Sequence, residues 1–262
     1  MKILLRISYV GTDFSGFQVQ PDSRTVQGVL CEAASALFGI PCDVTGCSRT
    51  DAGVHAREFV CAVTPHSTGS FDRSPIPEGK IHRAFAHLLP HDLTVTGAAF
   101  ADDAFHPRYG VRSKQYVYRI LNSRTADPFL ADRALHIPSP IDEDALRKMT
   151  VCAAEFVGTH DFRAFMASGS DITDTTRTVY SSAVERIGDM ITFTVSADGF
   201  LYNMVRIMTG TLIDASRGKI DIADIRTALC DGERSHLGFT APACGLYLDR
   251  VDYPAPIIWK AD

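Results

Sequence analysis

The sequence predicts an α+β protein in two halves, and three observations carry that prediction. The first hundred residues read strand, helix, strand, strand, helix, strand, the split βαβ arrangement. The remainder follows the same element order loosely, without repeating the sequence. The chain has 262 residues, 45% of them hydrophobic, enough to bury a sizeable core. The boundary is expected near residues 102–110, giving halves of 1–104 and 105–262.

Taken in order, residues 3–10 form a first strand, followed by the Gly-punctuated loop Gly11–Pro21, in which an extended backbone sets Gln18 and Gln20 on one side. Thr25 is placed to cap a helix whose Val26, Val29, Leu30, Ala33 and Leu37 recur at helical spacing, and Gly39 stops it. Two β-prone runs follow, around Val44 and over Phe59–Val63, with a polar loop between them. Ile81, Ala84, Phe85 and Leu88 mark a second helix ending near Pro90, and Val95–Phe100 is the next strand. In the second half, a strand at Val111–Leu121 precedes a helix over Asp142–Phe156 capped by Asp142. Strands at Thr176–Glu185 and Met190–Val195 come next, then a helix at Leu201–Ser216. A further helix opens at Asp221 or Asp224 and runs towards Leu229, and Gly245–Val251 alternates as a last strand.

Bulk properties exclude several classes. No apolar run approaches the roughly 20 residues of a spanning helix, and the opening Met1–Arg6 reads as a strand instead of a secretory leader. Seven cysteines without a Cys-x-x-Cys pattern read as reduced, mostly buried thiols of a cytoplasmic protein, and no metal is expected. The net charge of −5 argues against a uniformly basic nucleic-acid binder. Yet Arg108–Arg124 holds five basic residues and no acid, with Tyr109, Tyr116 and Tyr118 among them. Cations for phosphates and aromatic faces for bases are what RNA binding uses; a solvated strand is the alternative.

Two stretches carry chemistry. Gly46–Ala56 packs Arg49, Asp51, Gly53 and His55 between two strands, so that Asp51 can be kept ionised and aimed at a ligand, or can simply make a turn with a surface ion pair. Phe200–Met208 is almost wholly apolar but contains Arg206, and a buried guanidinium needs a partner. No acid stands three or four residues away, where Asn203 and Gly210 lie, so Arg206 meets an acid from elsewhere such as Asp51, snorkels to solvent, or binds a helix C-terminus. Gly158–Phe165 reads as a loop entering a short helix, with His160-Asp161 a turn.

Together these motifs resemble the tRNA pseudouridine synthase A family. The resemblance rests on Arg49–Ala56, Gly16–Gln20, Phe105–Arg108, Lys114–Tyr118, Gly158–Phe162, Gly199–Arg206 and Thr240–Leu248, in that family's order and across essentially the whole chain. It implies two ferredoxin-like (RRM-like) halves sharing a curved, mainly antiparallel sheet, with helices on one side and a central active-site cleft. It implies a cofactor-free isomerase that turns uridine into pseudouridine at tRNA positions 38, 39 and 40, in the anticodon stem and loop. The family works as a homodimer. Asp51 falls on its catalytic aspartate, Tyr116 on its substrate-contacting tyrosine, and Arg206 on the arginine paired with that aspartate, while Arg49 belongs to the same signature. Gln18, Arg108, Arg112, Lys114 and Arg163 are further candidates for RNA contact. Cys47-Ser48 stands where many members have Ser-Gly, so the turn before Arg49 must form without glycine there. Leu237-Gly238-Phe239 likewise departs from the commoner pattern before Thr240.

Two other classes remain at this stage. A glycosidase or aspartyl hydrolase needs a second carboxylate, and none follows Asp51 until Glu58. A non-catalytic RNA-binding module explains the basic, aromatic strands but not Asp51 or Arg206.

Overall fold

The computed structural model describes residues 1–169 and 172–260. Its elements fall into two compact units: Met1–Arg112 together with the segment from Tyr247 onward, and Ser113–Leu246. Both are mixed α and β. Among the described residues no helix is long and apolar enough to cross a membrane.

The first unit contains β1 (Lys2–Tyr9), α1 (Val26–Phe38), β2 (Cys42–Gly46), β3 (His55–Pro65), α2 (Ile81–Ala86) and β4 (Leu93–Ala101). Helix α1 begins and ends where its signals lie. The Thr25 hydroxyl accepts from Gly28 N–H, and Gly39 closes the helix at φ 69°. Strand β1 pairs antiparallel with β4 on one side and β3 on the other, from Ile3↔Val63 to Ile7↔Phe59. The second edge of β3 is shared. Antiparallel β2 occupies Cys61–Pro65, while the far strand β10 (Leu246–Asp252) lies parallel against His55 and Ala56. The chain leaves β2 and re-enters as β3 where the neighbour of β3 changes, so the 47–54 loop emerges at that break.

Period-two alternation divides β1. Ile3, Leu5, Ile7 and Tyr9 share one face and are buried. On the opposite face Leu4 packs with Ala62 and Ala99, covered by Phe105, Ile257 and Trp259. The indole of Trp259 also lies 5.6 Å from the Arg6 guanidinium, and Lys260 exchanges two backbone hydrogen bonds with Ala98 on β4. The apolar 253–260 segment therefore folds back on its own unit.

The second unit contains β5 (Ser113–Leu121), β6 (Leu135–His136), α3 (Glu143–Ala154), β7 (Gly158–Asp161), β8 (Thr176–Ile187), β9 (Met190–Ala197), α4 (Met204–Ser216) and α5 (Ile222–Asp231). Strands β5, β9, β8 and β7 form an antiparallel order, with two-residue β6 parallel to the end of β5. Asp142 caps α3. The choice between Asp221 and Asp224 resolves into both: Asp221 is the N-cap, and the Asp224 carboxylate reaches back to its N–H in a capping box. Helix α4 is buried at ten positions. It starts at Met204 and not at Leu201, because Asn203 sits in the left-handed region (φ 60°, ψ 8°) and breaks the helical path. Residues 158–161 are a strand paired with β8, not a loop, and a 3₁₀ turn over Arg163–Phe165 follows.

Candidate active site

The Asp51 loop is held by backbone. Thr50 C=O accepts from Phe17 N–H (3.0 Å), Gly53 N–H donates to Phe14 C=O (3.3 Å), and Val54 N–H donates to Asp51 C=O (3.2 Å), closing a turn on the aspartate. The buried Thr50 hydroxyl lies 2.8 Å from the Tyr9 hydroxyl. The Gly16–Gln20 stretch acquires a physical reason here. Gly16 has φ 87°, and a Cβ there would stand 2.7 Å from Thr50 C=O, so only glycine lets the first loop approach this closely. Phe17 then stacks on Phe59 of β3 at 4.6 Å. Below the loop, buried His55 accepts Gly11 N–H at Nδ1 (2.9 Å) and stacks on Tyr247 at 4.6 Å. The turn before Arg49 forms without positive φ at Cys47 or Ser48. Cys47 is buried, and its N–H bonds to Val60 C=O (2.8 Å).

Asp51 is half-buried and Arg49 exposed. Half-buried Arg108 has its pKa lowered first by burial and then by the nearby Arg49 guanidinium. A guanidinium that feels a second positive charge favours an anion nearby. Gln18 and Arg112 are exposed in the same unit, and Arg112 N–H donates to Asp252 C=O (2.8 Å).

In the second unit, Tyr116 is buried on β5 and meets Phe200 edge-on at 5.0 Å. Tyr118, two residues on and facing the same way, donates its hydroxyl to Pro242 C=O (2.7 Å). Burial raises its pKa far above the usual phenol value, so it stays a neutral donor. Arg206 is half-buried on α4. Its Nε donates to Ala241 C=O and Nη1 to the Asn203 side-chain carbonyl, both at 2.7 Å, while Ala241 N–H donates back to Arg206 C=O (3.0 Å). The Thr240–Leu248 motif thus fixes Arg206 and Tyr118 through consecutive carbonyls. Gly210 allows this strap to lie on the helix, since a Cβ there would fall 1.7 Å from Phe239 C=O.

Lys114 is half-buried on β5. Arg163 lies against the end of α5: its Nη2 donates to Asp231 C=O (3.2 Å) beside Gly232, and Asp161 is 3.9 Å away. His160 binds Val157 C=O at 3.0 Å, and the Asp161 carboxylate accepts from the Thr175 hydroxyl and Arg163 N–H, which together make a structural corner. Sequence reasoning missed Tyr9 as a support of the Asp51 loop, and Asn203 and Ala241 as supports of Arg206. Asn203 alone left a trace, as a polar side chain three residues before Arg206. Four of the seven cysteines are buried, and none forms a disulfide. Among the described residues no three His, Cys, Asp or Glu side chains group as metal ligands would.

Comparison with known proteins bears on the chemistry. Residues 152–254 match the family model described as tRNA pseudouridine synthase. The tRNA pseudouridine synthase A of Brevibacillus brevis is 42% identical over 248 residues, covering 94% of this chain and 97% of that protein. Those of Thermoanaerobacter sp. strain X514 and Ruminiclostridium cellulolyticum are 38% and 39% identical over 251 and 253 residues, each covering 96% of this chain and 99% of the relative. A chain in the crystal structure of a Cbf5-Nop10-Gar1 complex overlays on 80% of this chain and 53% of its own length at TM-score 0.33 and 12% identity. A score that low carries no structural weight.

Proposed function

Because the chain belongs to the tRNA pseudouridine synthase A family, we propose that it isomerises uridine to pseudouridine in tRNA, at positions 38, 39 and 40 of the anticodon stem and loop, with Asp51 as nucleophile and no cofactor. The observation that carries the reading is the Asp51 turn, pinned by Phe14, Phe17 and Tyr9 so that a half-buried carboxylate is presented on a fixed backbone. We further infer that each unit is ferredoxin-like, which the β-α-β-β-α-β order and the β4-β1-β3 arrangement of the first unit support. A homodimer in the cytoplasm completes the proposal.

The reaction breaks the N1–C1′ bond, turns the base and rejoins it to C1′ through C5, whose proton passes to solvent. A carboxylate can begin this by adding to C6, by attacking C1′, or by taking the C2′ proton. All three routes share the loss of the C5 proton. Arg206 is assigned the cation that keeps Asp51 ionised against the desolvation of a bound base. Tyr116 is assigned the contact to the extruded base, and its hydroxyl is available for proton transfer. Arg49, Arg108, Arg112, Lys114, Arg163 and Gln18 are assigned to the RNA, where phosphate contacts offset the few kcal/mol of unstacking.

Tritium release from C5-labelled uridine in tRNA tests the proposal. The wild-type protein should release tritium from anticodon stem-loop uridines, and Asp51→Asn should bind the same tRNA without release. Release by the variant at the wild-type rate removes Asp51 as nucleophile. Binding without release by the wild type makes the chain an RNA-binding module.

A further inference from the structure

Outside the Asp51 turn, the first unit presents a large aromatic ring to solvent in a fixed setting. Tyr109 is 81% exposed. One face of its ring lies on the His106 imidazole, with centroids 4.3 Å apart and planes at 32°, and the other is open. His106 is itself locked. Its Nδ1 accepts the N–H groups of both Arg108 (3.1 Å) and Tyr109 (3.2 Å), so it is the neutral tautomer with its proton on Nε2. Burial, then Lys2 and Arg108, push its pKa down, which keeps the ring uncharged. The turn beneath is tied on every side. Gly110 N–H donates to His106 C=O (3.0 Å), Lys2 Nζ to Phe105 C=O (2.8 Å), and the Tyr253 hydroxyl to Pro107 C=O (2.7 Å). Phe105 packs against the Tyr253 ring at 5.2 Å.

Such a ring costs little further entropy on stacking, because its backbone and supporting face are already ordered. Next to it stands Arg108, which senses the Arg49 charge of the catalytic loop, and Arg112 follows three residues later. A flat π-face on the residue next to Arg108, whose guanidinium feels the Arg49 charge, fits one unpaired nucleotide, with base on ring and phosphate on cations.

We propose that the open face of Tyr109, backed by His106, is a stacking platform for an unpaired tRNA base flanking the target uridine, whose phosphate is taken by Arg108 and Arg49. The proposal rests on the tRNA reading above and adds to it a substrate contact that holds the neighbouring nucleotide while the target is extruded. The platform reads any base, since stacking needs only a π-face. It therefore positions the strand without selecting its sequence.

The test is binding of an unmodified tRNA transcript at several salt concentrations, by wild type, Tyr109→Ala and Tyr109→Phe. The same transcripts carry 2-aminopurine at each loop position beside the target. Stacking worth about 1–3 kcal/mol per base predicts that Tyr109→Ala weakens Kd about 5- to 150-fold, while Tyr109→Phe stays within about twofold. The slope of log Kd against log salt should be unchanged in both, because no phosphate contact is lost. One flanking 2-aminopurine should lose its quenching in Tyr109→Ala and keep it in Tyr109→Phe. A Kd for Tyr109→Ala within about twofold of wild type overturns the platform, as does Tyr109→Phe failing like alanine. A changed sedimentation coefficient with unchanged Kd also overturns it, and makes Tyr109 a contact between copies. These readouts are independent of turnover. Wild-type binding without tritium release refutes the isomerase and leaves the platform standing, whereas normal turnover with unaltered Kd in Tyr109→Ala does the reverse.

Discussion

Asn203 does two jobs that substitution can separate. It holds a left-handed backbone ahead of α4, and its side chain accepts Arg206 Nη1 at 2.7 Å. Asn203→Gly removes only the second, since glycine adopts φ 60° freely, whereas Asn203→Ala removes both. A hydrogen bond to a charged donor is worth about 1.5–3 kcal/mol when buried, and half-buried Arg206 argues for about 1. Alanine adds roughly 1 kcal/mol for the left-handed conformation. The expected losses are about 1 kcal/mol for glycine and about 2 for alanine. At about 2–4 °C per kcal/mol these lower Tm by about 2–4 °C and 4–8 °C, read by calorimetry. Loosening the guanidinium should lower kcat for tritium release in both variants by about tenfold, equivalent to ~1.4 kcal/mol, with KM for tRNA little changed. Equal destabilisation by glycine and alanine would refute the backbone argument. Unchanged kcat in both would show that Asn203 does not orient Arg206.

Gly210→Ala should destabilise by about 3 kcal/mol or more despite alanine's ~1 kcal/mol helix advantage, because the new Cβ would meet Phe239 C=O at 1.7 Å with backbone on both sides. Urea denaturation checks it, and a neutral or stabilising outcome would disprove the close approach. Asp92 receives two 2.8 Å hydrogen bonds from the Arg24 guanidinium, which hold its carboxyl below the ordinary value of 3.8. The contribution is therefore present above the unfolded-state pKa and lost as pH falls through the lower folded value. With Arg24 38% exposed, wild type should lose about 1 kcal/mol more than Asp92→Asn on acidification from about pH 5 to below 3, and parallel curves would dismiss the linkage.

Elements with capping signals in their sequence were legible. Helix α1 carries Thr25 and Gly39, and α5 carries Asp221 with Asp224, so caps and periodicity agree. Strands β6 and β7 were not legible, because two and four residues have no useful periodicity and exist only through pairing with β5 and β8. The start of α4 was misplaced for a related reason: the apolar pattern from Leu201 is helical, and nothing in it announces that Asn203 turns left-handed. In their separate units, Asp51 and Arg206 each stood out as a charge in unlikely company. Their supports did not, since Ala241 acts through a carbonyl 35 residues from Arg206, and backbone groups carry no mark in the sequence. Arg163, proposed for RNA contact, also makes a bond that the sequence does not mark, from its Nη2 to Asp231 C=O at the end of α5.

The division of the chain sets an order of events during synthesis. Strand β3 emerges early, but the β10 residues that line His55 and Ala56, and the Ile257 and Trp259 that cover Leu4, are made only after the whole of Ser113–Leu246. At about 5–20 residues per second, those 134 residues occupy the ribosome for roughly 7 to 27 s. Throughout that interval the first unit carries an unfilled strand edge beside the Asp51 loop and a partly uncovered apolar patch on its sheet. With Asp51 already made, that edge stays open to stray strand pairing until the residues from Tyr247 onward are translated.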